Sequence, residues 1–140
     1  MDNTLFNLAF TAKEIQLVFR RFAAGMSVDV PIEAIGILLA VYYKEDLIQQ
    51  DIAEIVRKDK SAVLRHIDNL EQKGLVQRVT AANDRRRNVI NITDEGKRFI
   101  AEISGKADEL FSLLSEGLSS IDVRMLNEIL NHIRNRAKMI

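Results

Sequence analysis

Three adjacent arginines, Arg85, Arg86 and Arg87, follow Asp84 in the stretch NDRRRNVINITDEG at residues 83–96. Neighbouring guanidiniums are permanently charged and repel one another unless an anion comes between them. Duplex DNA supplies such anions, about one phosphate charge per 1.7 Å of helix axis. Just upstream, KSAVLRHIDNLEQKG (60–74) carries Val63, Ile67 and Leu70 at the spacing of one helical face. The opposite face then presents Ser61, Ala62, Arg65, Asn69 and His66. An α-helix fits the major groove, where an arginine can bond guanine bidentately for about 1–3 kcal/mol of discrimination. Ser61 lies near the free amides of the helix N-terminus and suits a phosphate or a base edge. Lys58 and Lys60 flank the turn before this helix as phosphate candidates, and Gln49 and Gln50 reach for the backbone from the helix before it. The chemistry these residues could do is recognition of a polyanion.

The rest of the composition points away from other chemistries. Cysteine is absent, which excludes disulfides, thiolate metal sites and a thiol-based peroxide switch. His66 and His132 are the two imidazoles, with no metal-ligand cluster, no glycine-rich phosphate loop and no carboxylate pair apart from ordinary charged faces. Neither a catalytic site nor a cofactor nor a metal is therefore expected. The formal net charge is zero, from 20 basic and 20 acidic residues, but the charge is unevenly placed. Between Arg57 and Arg98 there are 11 Lys/Arg against 6 Asp/Glu, an excess of five cations that the remainder balances. A basic middle on an acidic frame is the pattern of a polyanion-facing segment. The opening residues MDNTLFNLAF lack a basic region and a cleavage pattern, and the longest apolar run, IEAIGILLAVYY, is too short to span a bilayer. A cytoplasmic protein of one domain, not attached to a membrane, is expected.

The elements that must position these residues are mostly helical. Leu5, Leu8, Ala12, Ile15, Phe19 and Phe22 predict a first helix from about Asn3 to Ala24. Gly25 and Pro31 break it, and IEAIGILLAVYYK predicts a buried central helix. QQDIAEIV is a short helix with Ile48, Ile52, Ile55 and Val56 on one face and Ala53 beside them. Asp59 is the expected N-cap of the next helix and Gly74 its C′ residue. Two β-branched strands follow, LVQRVT (75–80) and NVINI (88–92), joined by the loop AANDRRR. Thr93 is expected to cap a helix running to about Glu116, with Asp94 and Glu95 favouring its dipole. Gly117 ends it, and SSID opens a last helix with Ile121, Leu126, Ile129, Leu130, Ile133 and Ala137 on an apolar face. A short helix, a tight turn and an amphipathic helix form a helix-turn-helix. The hairpin with its arginine-rich tip comes directly after.

The order and spacing of DIAEIVRKDKSAVLRHIDNLEQKGLVQRVTAANDRRRNVINITDEG resemble the winged helix-turn-helix core of the MarR (multiple antibiotic resistance regulator) family. The resemblance covers essentially the whole chain and implies a mainly α fold with a small β-hairpin wing. It divides one MarR-type domain (1–140) into a DNA-binding core at about 32–98 and dimerisation helices at about 3–24 and 99–140. It further implies a homodimer on palindromic double-stranded DNA, more often a repressor than an activator. Arg86 would be the minor-groove arginine, Asp84 would brace the turn by pairing with an arginine, and Arg85 and Arg87 would lie near phosphates. Two departures stand out, since Ala62 and Leu64 occupy positions where relatives often carry threonine. Base reading here is expected to rest more on apolar contact with a thymine methyl. Many relatives bind small aromatic or phenolic acids between the dimer helices and the winged helix, and Phe10, Phe19, Phe22, Tyr42, Tyr43 and Phe111 offer themselves as walls. The terminal helices carry more apolar residues than one winged helix could cover, which independently calls for a partner. The competing reading on this scaffold is a helical dimeric protein-interaction module without DNA binding; Arg65 and the three wing arginines argue against it.

Overall fold

The computed structural model describes residues 3–140, in the order α1 (Thr4–Ala23), α2 (Ile32–Tyr43), α3 (Gln49–Val56), α4 (Lys60–Gln72), β1 (Val76–Ala81), β2 (Asp84–Ile92), α5 (Asp94–Leu114) and α6 (Ser120–Ala137). They fall into two compact units that divide between Lys106 and Ala107.

In the first unit the core forms around α2. This helix is apolar nearly all round and buries Ala34, Ile35, Ile37, Leu38, Ala40 and Val41. Around it gather Ile52 and Ala53 of α3, Val63, Ile67 and Leu70 of α4, Leu75, Val76 and Ile90 of the hairpin region, and Phe99, Ile100 and Ile103 of α5. Each valine, leucine, isoleucine or phenylalanine among them contributes about 1.5–3 kcal/mol on full burial. The inward triplet of α4 therefore fixes which face of that helix remains outside. Ile55 departs from expectation: at the end of α3 it is exposed, and Ile52 and Ala53 hold the core contact.

The ends of α4 and α5 are set by local chemistry. Leu75 N–H bonds Leu70 C=O and Gly74 N–H bonds Glu71 C=O, both at 3.0 Å, with Gly74 at φ +77°. This is the Schellman stop that glycine favours at C′. Thr93 Oγ1 accepts the Gly96 N–H at 3.0 Å and donates to Gly74 C=O at 2.6 Å, so one hydroxyl caps α5 and binds it to the end of α4. Gly96 is needed for that approach, because a Cβ there would sit 2.2 Å from the Leu75 carbonyl oxygen.

The hairpin differs from expectation in a way that matters. Its turn is only Ala82–Asn83, β1 begins at Val76, and the arginines belong to β2 and not to a loop. Antiparallel pairing runs regularly from Val76↔Ile92 to Thr80↔Asn88, then jumps to Ala81↔Asp84. Arg85, Arg86 and Arg87 have no partner on β1 and form a three-residue bulge. Bulges re-aim side chains out of a ladder.

Helix α1 opens on Asn3, whose Oδ1 accepts the Phe6 N–H at 3.2 Å. Phe19 and Ala23 pack against the core, yet none of its residues is buried and Phe10 is 67% exposed. In the second unit, α5 ends at Leu114, slightly before Glu116, and Gly117 turns the chain at φ +87°. Ser119 and Asp122 then cap α6 reciprocally at 3.1 and 2.9 Å. No residue of α6 is buried, and Ile121, Met125, Ile129 and Ile133 lie exposed at four-residue spacing. No helix among the described residues is long and apolar enough to cross a membrane.

Candidate nucleic-acid interface

The turn between α3 and α4 is tight. Arg57 adopts the left-handed conformation (φ 55°), and the Lys58 N–H closes back on Ala53 C=O at 3.2 Å. Asp59 caps α4 as expected, its Oδ1 accepting the Ala62 N–H at 3.0 Å. Gln49 Nε2 donates to Lys60 C=O at 3.3 Å, tying α3 to the start of α4, while Gln50 bonds Glu54 at 3.0 Å. Both glutamines thus have partners inside the protein. Lys60, Ser61, Leu64 and Arg65 are exposed on the outer face, and Lys58, Ala62 and His66 are half-buried along its border. Asn69 is half-buried along the same border, with its Oδ1 enclosed and without a hydrogen-bond partner.

A clamp that sequence reasoning missed holds α4 to β1. Arg78 donates from Nη1 to Glu71 at 2.6 Å and from Nη2 to Asp68 at 2.5 Å, and its backbone N–H bonds Glu71 at 2.9 Å. Charge-assisted bonds of this kind are short and geometrically exacting. They hold the Glu71 carboxyl below the usual carboxylate range, the backbone bond foremost. The cue was present: Asp68 and Glu71 lie one turn apart on α4, shortly before a lone arginine.

On the wing, Asp84 does brace the bulge, but through a backbone group. Its Oδ1 accepts the Arg86 N–H at 2.9 Å, because an aspartate can bond the amide two residues on without any guanidinium. Arg85 and Arg86 are exposed, and their guanidiniums carry no internal partner among the described residues. Arg87 is half-buried, and its Nη2 donates to Asp46 C=O at 3.0 Å. The structure thus separates the three arginines.

The same sorting applies to the whole basic segment. Arg78, Arg98, Lys73 and Arg87 spend their donors on Asp68 and Glu71, on Glu95, and on the carbonyls of Asp29 and Asp46. Arg57, Lys58, Lys60, Arg65, Arg85, Arg86 and Lys97 form no ion pair among the described residues. All of these except Lys97, which lies on α5, sit on the helix-turn-helix and the wing. Burial pushes the His66 imidazole below its ordinary range, and the charges of Lys58 and Arg65 push the same way against Glu33.

An exposed helix on a tight helix-turn-helix, followed by a bulged hairpin with free guanidiniums, defines a winged helix-turn-helix DNA-binding regulator. Residues 28–87 match the family model described as MarR family. Structural likeness extends over nearly the whole chain. A crystal structure of MarR is 19% identical with a TM-score of 0.80, covering 99% of this chain and 100% of that one. A point mutant of S. aureus MepR is 21% identical with a TM-score of 0.78, covering 96% and 98%. MepR has also been solved bound to ethidium bromide and, as a different mutant, to an oligodeoxyribonucleotide. An uncharacterised HTH-type transcriptional regulator of Bacillus subtilis (strain 168), YdgJ, is 24% identical over 140 residues, 94% of this chain and 85% of that protein. The winged helix-turn-helix segment of the chain thus matches the MarR family, and over its whole length the chain has the fold of solved MarR-family regulators.

Proposed function

We propose that this regulator acts in the cytoplasm as a homodimeric repressor on a palindromic site in double-stranded DNA, and that a small aromatic or phenolic ligand releases it. In this reading the chain is one MarR-type domain. Its core at about 32–98 binds DNA, and the helices at about 3–24 and 99–140 dimerise.

The single observation that carries it is the set of unpaired cations on the two exposed DNA-facing elements, Arg65 on α4 and Arg85 and Arg86 on the wing. Arg65 reads a base edge from the major groove, with Ser61 and Ala62 beside it, and Leu64 offers an apolar contact for a thymine methyl. Arg86 enters the minor groove, whose negative potential attracts an inserted arginine, held there by Asp84. Lys58, Lys60 and Arg85 neutralise phosphates. The unburied apolar faces of α1 and α6 support the dimer, and the MepR complexes with an oligonucleotide and with ethidium support the DNA and ligand parts by kinship.

The test is a fluorescence-anisotropy titration on genomic fragments selected by the protein itself, at two salt concentrations, for wild type and Arg86→Ala. Tight binding that weakens steeply with salt and collapses in the variant is expected. Absence of any preferred fragment, with or without aromatic acids present, would favour a protein-interaction module on this scaffold.

A further inference from the structure

The three wing arginines share one bulge but not one environment. Arg85 and Arg86 point their charge into solvent. Arg87 reaches across 41 residues to Asp46 in the connection between α2 and α3. That connection is itself fixed. Leu47 is buried, its carbonyl accepts the Ile90 N–H at 2.8 Å, and Asp46 holds a left-handed conformation at φ 57°. β2 therefore grips two consecutive carbonyls, Leu47 through the backbone of Ile90 and Asp46 through the side chain of Arg87. The first contact lies in the regular ladder; the second lies in the bulge that Asp84 closes locally.

The bond from Asp84 to Arg86 shapes the bulge but cannot orient it, since both residues travel with the wing. Among the contacts that Arg85–Arg87 make with the described residues, the bond to Asp46 is the one that reaches outside the wing. Three residues beyond Asp46, α3 begins the helix-turn-helix. We infer that Arg87 is a positioning residue, a strut that fixes the pitch of the wing against the helix-turn-helix so that Arg85 and Arg86 meet DNA already oriented. It is not a third phosphate contact. The inference rests on the DNA-binding reading above and divides the basic tip into two charges that touch DNA and one that aims them.

The two roles differ in a measurable way. A phosphate contact releases counterions, so its loss flattens the log–log salt slope by about 0.9. A strut lowers the ordering cost of binding, so its loss weakens affinity equally at every salt. Binding is measured from low to high salt for wild type and for Arg85→Ala, Arg86→Ala and Arg87→Ala, together with amide exchange of residues 84–89 in the DNA-free proteins. Arg87→Ala is expected to weaken binding roughly two- to ten-fold, the penalty for ordering one or two segments. Its slope should equal wild type, and its wing amides should exchange faster. Arg85→Ala and Arg86→Ala should flatten the slope and leave exchange unchanged. If Arg87→Ala fails to fold, Arg87→Gln, which removes the charge with less loss of bulk, is read in the same two ways. A flattened slope with unaltered exchange would overturn the strut. Should wild type bind no DNA at all, the regulator reading fails, and the exchange rates alone still decide whether Arg87 holds the wing.

Discussion

Glu71 of α4 binds Arg78 of β1 twice, taking its backbone N–H at 2.9 Å and its guanidinium at 2.6 Å. The recognition helix and the first wing strand thereby share one clamp. These bonds favour the charged carboxylate, so the folded-state pKa lies below the ordinary 4.5. A depressed carboxylate stabilises the fold fully above its unfolded value and loses that contribution as pH falls through the folded value. Urea unfolding between pH 3 and 6 should show stability declining below about pH 4.5, and Glu71→Gln should flatten part of that decline. Glu102 acts in the same direction, because the Ser27 hydroxyl and N–H bond its carboxylate at 2.5 and 2.9 Å. A pH profile unchanged in Glu71→Gln and likewise in Glu102→Gln would mean that neither bond set survives in solution.

Two glycines of α5 should respond oppositely to the same substitution. A Cβ at Gly96 would meet the Leu75 carbonyl oxygen at 2.2 Å and Ile92 Cγ1 at 2.6 Å, whereas one at Gly105 meets nothing within 4 Å. Gly96→Ala must push backbone aside and is expected to cost about 1–3 kcal/mol, as overpacking does. Gly105→Ala removes only a helix-propensity penalty and should stabilise by up to about 1 kcal/mol. Thermal unfolding of the two variants beside wild type decides it.

What sequence reasoning could see was local. The caps at Asp59, Thr93 and Ser119 and the glycine stop at Gly74 follow from side chains within a few positions of the bonds they make. The inward face of α4 follows from Val63, Ile67 and Leu70. The fold class was legible because those local signals come in a particular order. The bulge was not legible: in the sequence, AANDRRR reads as one loop, and only the pairing of Ala81 with Asp84 shows that the arginines lie on a strand. Nor could spacing reveal that Arg87 differs from Arg85, Arg86 and Arg65, because that difference depends on Asp46, 41 residues away. Residue type showed that the cations were there, and packing decided which ones stayed available.

His66 provides a pH test on the recognition helix. Burial first, then Lys58 and Arg65, lower its pKa from the ordinary 6.5, while Glu33 opposes them. The unfolded chain then binds the proton more readily, so stability is lost as pH falls from about 6.5 toward the folded value. His66→Gln should remove this loss, narrowing the stability difference between pH 7.5 and pH 5.5. Equal differences in wild type and variant would show that the imidazole is solvated like a free one.

Arg65 and Lys60 are both exposed and unpaired on α4, yet they should fail differently. A guanidinium reading a base edge carries sequence information, whereas an ammonium at a phosphate carries only charge. Arg65→Ala is expected to cost about 1–3 kcal/mol on the preferred site and to relax discrimination at one position of each half-site. Lys60→Ala should weaken all sequences alike and flatten the salt slope by about 0.9. Selection from a randomised library, followed by titration of the winners, separates the two.

The α6 stripe of Ile121, Met125, Ile129 and Ile133 leaves four large apolar side chains in water, with Ile129 53% exposed. One chain presents one recognition helix, and a palindrome offers two half-sites about 34–36 Å apart. Joining two chains makes the second contact intramolecular, which multiplies affinity by about 10²–10⁴ without any new kind of bond. Ile129→Glu places a charge in the middle of the stripe. Sedimentation should then show a monomer at concentrations where wild type is a dimer, while circular dichroism reports unchanged helix, because no residue of α6 is buried within the chain. Binding to a two-half-site fragment should fall at least a hundredfold, toward the affinity of a single half-site. A variant that remains dimeric would move the interface off this stripe, and a monomeric wild type would end the two-fold model altogether.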